Sequence, residues 1–169
     1  MSKHEAEKKG LEQTAIDIFV ELYNRNHEHP LRFVQQQEKP DALLEDVEQN
    51  LVGLEVTHLF YDSEEARLMM SRSELTLPGT EVLDQFIKVI NDRVRGKEEK
   101  YREYSHEYPC MLLIRNVSLL FGMSDVLGRK KKLMLPRGQF REVWLLSRDF
   151  TPDWLLVNLY EIDGGCYHV

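Results

Sequence analysis

Residues 39–60 read KPDALLEDVEQNLVGLEVTHLF, and their reading decides the fold. A proline is followed at once by Asp41. Two apolar runs, 41–47 and 51–60, flank the polar triplet Glu48-Gln49-Asn50. Apolar, β-branched stretches on either side of a short polar turn predict a β-hairpin. The second arm, LVGLEVTHLF, is rich enough in valine and leucine to be a central strand. Glu55 is the residue in that arm that does not belong in a core. A carboxylate inside an apolar strand costs free energy unless it is paired. That cost is tolerable where the carboxylate faces a polar cleft and holds a cation. Asp41 and Glu55, one on each arm, are therefore candidates to point at one hard metal ion.

Working outward, residues 5–26 predict a helix with Leu11, Ala15, Ile18, Phe19 and Leu22 on its apolar face. NHEHP, residues 26–30, breaks it. Residues 31–36 predict a short strand. Asp62 or Ser63 is positioned to cap a short helix, SEEARLMM. Thr80 caps a long helix running to about Ser105, with Val82, Leu83, Phe86, Ile87, Ile90 and Val94 at helical spacing. CMLLIRNV from Cys110 predicts a strand, followed by an irregular segment, and strands over 142–146 and 154–160 close the chain. A helix between two apolar strands suits a parallel crossover. The expectation is one α/β (α+β) domain over residues 1–169, with a central mixed β-sheet flanked by helices. Its core spans about 10–115, and its C-terminal strands lie within 142–160.

Composition narrows the function classes. The chain has 169 residues, 42% hydrophobic and 30% charged, which is ordinary for a globular protein. No apolar run approaches the roughly 20 residues that span a bilayer, so no membrane partner is expected. MSKHEAEKKG lacks the apolar core of a signal peptide. The expected location is cytoplasmic, with Cys110 and Cys166 as reduced thiols. The net charge of −7 argues against a protein coated in nucleic acid, yet residues 128–141 hold six cations and no acidic residue. Those six, Arg129, Lys130, Lys131, Lys132, Arg137 and Arg141, are the candidate phosphate contacts. His27 and His29 form an H-x-H pair beside a helix end, and His58 follows the Glu55 strand; with a carboxylate such a set suits Zn²⁺ or Fe²⁺. More often such histidines decorate a loop or sit in a core. Glycine patterns of phosphate loops and nucleotide folds are absent from the sequence. Cys110 opens an apolar strand, where a buried, inert thiol is expected. Trp144 and Trp154 sit in apolar strands and read as core.

A first helix, a hairpin carrying Pro40-Asp41, a strand with Glu55-Val56-Thr57, a helix and a further strand resemble the core of the PD-(D/E)xK nuclease superfamily. The resemblance spans roughly residues 10–115. It implies a restriction-endonuclease-like fold and a Mg²⁺- or Mn²⁺-dependent nuclease acting on nucleic acid, DNA ahead of RNA. Asp41 and Glu55 would be the direct metal ligands and the Val56 carbonyl a third. A glutamate on the first helix completes such sites, and Glu21 and Glu12 are the candidates, Glu21 in the more apolar setting. The family's lysine stands two residues after the glutamate, where this chain has Thr57. Positions 55 and 57 share one face of a strand. Thr57 thus faces the same cleft without a charge. The cation would then come from the following helix, which offers Lys88, Lys97 and Lys100, with Lys97 and Lys100 preferred. The competing expectations are a binding or regulatory module on the same fold that has lost catalysis, and a protein-interaction domain without metal. Oligomeric state is left open by the sequence.

Overall fold

Runs such as LVGLEV, CMLLI and VWLL can be buried only in strands covered on both faces, which places them at the centre of a sheet. In the computed structural model the elements follow in the order α1 (Lys3–Asn26), β1 (Arg32–Gln36), β2 (Ala42–Glu45), β3 (Leu51–Leu59), α2 (Thr80–Tyr101), β4 (Cys110–Asn116), α3 (Met123–Gly128), β5 (Phe140–Ser147) and β6 (Leu155–Asn158). The structure describes residues 1–60, 80–103 and 107–162. The short helix expected after Asp62, the expected helix end near Ser105, and Cys166 lie outside them.

The six strands line up in chain order in one sheet. β3, β4 and β5 are parallel, and the outer strands β1, β2 and β6 are antiparallel to their neighbours. This is a single α/β domain with a mixed sheet between helices. The central strands have apolar side chains on both faces because each face meets a helix. Leu54, Val56, Met111, Leu113, Trp144 and Leu146 share a core with α1, and Leu112, Ile114, Val143 and Leu145 share one with α2. Burying one such leucine, isoleucine or phenylalanine stabilises the fold by about 1.5–3 kcal/mol.

α1 begins with a capping box, in which the Ser2 hydroxyl accepts the Glu5 N–H and the Glu5 carboxylate accepts the Ser2 N–H. Its buried stripe is Ala15, Ile16, Phe19, Leu22 and Tyr23, so Ile16 rather than the expected Ile18 is the fully buried isoleucine. The helix ends at His27, whose ring stacks on Tyr23 at 4.0 Å and places Nδ1 2.8 Å from the Tyr23 carbonyl oxygen. α2 buries Val82, Phe86, Ile87, Ile90, Val94 and Tyr101 against the other face of the sheet.

The segment expected to be irregular contains α3 and a 3₁₀ turn, Lys130–Lys132. A six-residue helix holds fewer than two turns of periodicity, too few to read from sequence. From the turn the chain runs back along α2, and two buried polar side chains of α2 supply the backbone partners that no strand provides. Asn91 Nδ2 donates to the Lys132 carbonyl at 2.9 Å, and Asn91 Oδ1 accepts the Met134 N–H at 2.8 Å. Glu98 accepts the Gln139 and Phe140 N–H groups at 2.7 and 3.3 Å.

Candidate active site

β3 is longer than its partner. Pairing with β2 stops at Ala42–Leu54, while β3 continues to Leu59. The β2 side of residues 55–59 is thus an open edge whose backbone groups need other partners. Asp41, the residue just before β2, takes one of them: its Oδ2 accepts the Val56 N–H at 2.7 Å. Arg93 of α2 takes another, donating from Nη1 to the His58 carbonyl at 2.8 Å. Pro40 positions Asp41 by lying against β3 where β3 has no side chain, for a Cβ on Gly53 would stand 2.6 Å from Pro40 Cγ. The Asp41 carbonyl also accepts the Gln37 N–H at 2.9 Å, tying the loop to the end of β1.

Strand alternation turns Leu54 and Val56 to the α1 face and Glu55 and Thr57 to the α2 face. Glu55 is only 5% exposed. Lys97 of α2 reaches it, with Nζ 2.9 Å from Oε1. The second oxygen, Oε2, is buried, and no described residue donates a hydrogen bond to it. Thr57 Oγ1 accepts from Arg93 Nη1 at 2.9 Å. Burial pushes the Asp41 carboxyl up to about 7, and the Glu55 charge adds to the shift while the Val56 N–H opposes it. Glu12 and Lys97 act on the same carboxyl more weakly, in opposite senses.

These groups line one cleft of about 880 Å³ between α1, the open edge of β3 and α2. Asp41, Glu55, Val56, Thr57, Lys97 and Lys100, all named from the sequence, border it. Glu21 does not, and this corrects the expectation for α1. It is exposed, pairs with Arg25 and lies off the stripe formed by residues 12, 16, 19 and 23. Glu12 lies on that stripe, is 6% exposed, borders the cleft and has Lys8 Nζ 3.5 Å away. Glu12 keeps helical spacing with Ile16 and Phe19, but the face read from sequence, Leu11, Ala15, Ile18, Phe19 and Leu22, did not separate it from Glu21, whose apolar neighbours drew attention. Sequence reasoning did not name Arg93. Its signal was the 93, 97, 100 spacing that aligns it with Lys97 and Lys100 on one helix face. Lys88 is turned elsewhere and pairs with Asp92 at 2.9 Å.

The basic run sits apart from the cleft. Lys132 and Arg129 approach Asp84 at 2.7 and 3.7 Å. Asp84 precedes Lys97 on α2 by more than three turns, about 20 Å along the axis. Arg137 Nη2 donates to the Tyr160 carbonyl at 3.0 Å, and Arg141 pairs with Glu142 at 3.7 Å. Lys130 and Lys131 are exposed. His27 Nδ1 meets the Tyr23 carbonyl and the ring stacks on Tyr23, at the end of α1 and outside the cleft lining. His58 half-emerges at the cleft edge, and burial with the nearby Arg115 and Arg93 charges holds its pKa down at about 4. Cys110 is buried and its thiol is pushed up to about 12 by that burial, the state of an inert thiol. Trp144 is core, packed edge-on to Phe19 and Tyr23.

Among the described residues no three Asp, Glu, His or Cys side chains converge into a ready-made metal cage. The donor set suits a hard cation that keeps much of its own water, since Mg²⁺ is held by one or two carboxylates and completed by water and phosphate oxygens. Asp41, Glu55 Oε2 and the Val56 carbonyl are oxygen donors of this kind. N–H and C=O of one strand residue point to the same edge, so the Val56 carbonyl looks toward the open edge that Asp41 caps. The uncapped Glu55 Oε2 is the atom that such a cation would satisfy. Comparison with known proteins finds no family model, no curated protein and no solved structure that matches this chain.

Proposed function

We propose that this chain is a Mg²⁺- or Mn²⁺-dependent nuclease-like protein on a PD-(D/E)xK-type core, hydrolysing phosphodiester bonds of nucleic acid, DNA ahead of RNA. One observation carries the reading: Asp41 and Glu55 are buried together beside the open edge of β3, with Lys97 against one Glu55 oxygen and no hydrogen bond from a described residue to the other. The order of helix, antiparallel meander, crossover helix and parallel strand agrees with what the resemblance implies.

Asp41, Glu55 and the Val56 carbonyl would hold the cation, with Glu12 behind them as a further carboxylate. A bound Mg²⁺ or Mn²⁺ supplies charge neutralisation at the phosphate and a more acidic water. Lys97 holds Glu55 in place and brings a positive charge to the point where charge builds on phosphate oxygens. Arg93 brings a second charge one helical turn away and fixes the Thr57 hydroxyl. Lys100 stands at the mouth, where a phosphate backbone arrives first. Asp41 with its raised pKa must give up its proton before it can serve as a ligand.

The test is cleavage of single-stranded, double-stranded and branched substrates with Mg²⁺ or Mn²⁺. Wild type is expected to cleave at least one, and Glu55→Ala to be inert with its fold intact. Cleavage that persists unchanged in Glu55→Ala overturns the reading. A second reading is favoured by the Lys97–Glu55 ion pair, which already neutralises the carboxylate: a module that binds nucleic acid on this scaffold and has lost catalysis. Wild type that binds nucleic acid through Arg93 and Lys100 yet cleaves nothing would establish it.

A further inference from the structure

A second set of cations lies outside the cleft, at the carboxyl ends of the parallel strands on the α1 face. The parallel register puts Arg115 of β4 opposite Leu146 of β5, and Arg148 follows two residues later on the same face. Trp154, just before β6, lies under both side chains, with the Arg115 and Arg148 guanidinium carbons 5.1 and 4.4 Å from its ring centroid. Like charges are thus gathered at one indole, and neither arginine makes an ion pair with a described residue. Arg115 Nε and Nη1 are buried and donate to no acceptor among the described residues. Burial and the Arg148 charge both pull the Arg115 pKa down.

Stacking on tryptophan satisfies the face of a guanidinium but none of its N–H groups. Buried charged donors without acceptors are costly, and an anion drawn to Arg115 removes that cost while the exposed Arg148 adds a second positive charge beside it. On the Arg148 side a cavity of about 430 Å³ is lined by Arg148, Ser118 and Thr151. Ser118 Oγ already accepts the Leu120 and Phe121 N–H groups at 3.1 and 3.3 Å, so its own O–H is left to donate. Phe150 and Leu119, 68% and 93% exposed, border the same cavity as an apolar flank.

We propose that Arg115 and Arg148, supported by Trp154, form a binding site for a phosphate group, separate from the Asp41–Glu55 cleft. Guanidinium groups match phosphate oxygens in pairs, which is why two arginines at one point suit phosphate better than a carboxylate or halide. The phosphate belongs either to a free nucleotide or to the end of a nucleic-acid strand. The proposal does not depend on metal or on cleavage.

The experiment uses Trp154 as its reporter. Trp144 is the other tryptophan, so Trp144→Phe isolates the signal, and isothermal titration on the unaltered protein checks it. Inorganic phosphate, a 5′-mononucleotide, and one oligonucleotide with either a 5′-phosphate or a 5′-hydroxyl are titrated without metal at constant ionic strength set by chloride. Saturable quenching or shift of Trp154 emission by phosphate is expected. Arg148→Gln and Arg115→Gln should each weaken binding about ten- to a hundredfold, the range for lost hydrogen bonds to a charged group. Tighter binding of the mononucleotide assigns the site to free nucleotides, and tighter binding of the 5′-phosphorylated strand than of its 5′-hydroxyl form assigns it to strand ends. Should Arg115→Gln fail to fold, the exposed Arg148→Gln decides the matter alone. The proposal is overturned if phosphate gives no saturable response by either method, if chloride gives the same response, or if folded Arg148→Gln binds phosphate as wild type does.

Discussion

α2 lies beside two groups of cations, and they differ in kind. On its cleft side Arg93, Lys97 and Lys100 border a polar cavity that also contains buried carboxylates. Along its other side, from Asp84 to Glu98, runs the chain segment 129–141, which brings six more cations and no acidic residue. Four of those six are taken up internally, two at Asp84, one at Tyr160 and one at Glu142. Density of charge along a chain therefore says little about charge available at a site. Lys97 of α2 matters more because the fold desolvates its partner Glu55, and an ion pair gains strength as water is removed.

Removing Lys97 should break this contrast most sharply. Lys97→Met leaves Glu55 charged and buried, so unfolding in denaturant should show a loss of about 3–5 kcal/mol. On the proposed function, cleavage should fall about 10²- to 10³-fold as well. Lys97→Arg should recover most of the stability. If Lys97→Met melts like wild type, the pair is ornamental and the cleft loses its main electrostatic argument.

The pH dependence of stability in metal-free buffer tests the carboxylates themselves. The Asp41 carboxyl is raised to about 7 in the folded chain, against an ordinary value of 3.8. Between these values the folded state holds the proton that the unfolded state has released. The stability from this group is thus fully present below about 3.8 and is lost as pH rises through about 7. At 1.36 kcal/mol per unit, that loss is up to about 4 kcal/mol. Asp41→Asn should flatten the slope over this window and be more stable than wild type at alkaline pH. An unaltered slope in the variant would mean that another group titrates.

Glu98 sharpens the other half of the comparison. Glu98→Ala strips the Gln139 and Phe140 N–H groups of their acceptor, and the expected destabilisation is about 1–3 kcal/mol by thermal or chemical unfolding. Hydrogen exchange should quicken at 139 and 140 before it quickens in β4. Unchanged exchange there would show that the segment does not depend on α2.

The smallest effect is expected at Lys130 and Lys131. Replacing both with glutamine should alter stability by no more than about 0.5 kcal/mol. It should flatten the salt dependence of duplex binding by at most about two units, near 0.9 for each phosphate that is no longer neutralised. A larger loss of affinity than Lys100→Gln causes would move phosphate docking from the cleft to the basic run.

The hairpin was legible because both its arms and its turn are local. Asp46, at the end of the first arm, accepts the Glu48 and Asn50 N–H groups at 2.9 Å each, as a polar turn between apolar runs leads one to expect. β4 was legible because CMLLI has no soluble alternative to a buried strand. The first helix was legible as a helix but not in its facing: Glu21 and Glu12 differ by which stripe they join, and that depends on which surface the sheet offers. The spacing of Arg93 with Lys97 and Lys100 showed its helix face but not its role, because its partners, Thr57 and the His58 carbonyl, are more than thirty residues away in sequence. The internal pairing of the basic run was invisible for the same reason, since Asp84 lies far back on α2.

By itself the sequence determined the alternation of strands and helices, the placing of a proline-aspartate pair one hairpin away from a glutamate in a core strand, and the presence of lysines on the helix that follows. Period and polarity are properties of neighbours in the chain, so they survive without a fold. Only the tertiary structure decided that β2 stops short and leaves the edge of β3 open, that Glu12 and not Glu21 enters the cleft, and that Lys97 meets Glu55 while the basic run spends its charge elsewhere. Each of those outcomes depends on how far apart desolvated groups come to rest, and that separation is set by packing across the sheet rather than along the chain.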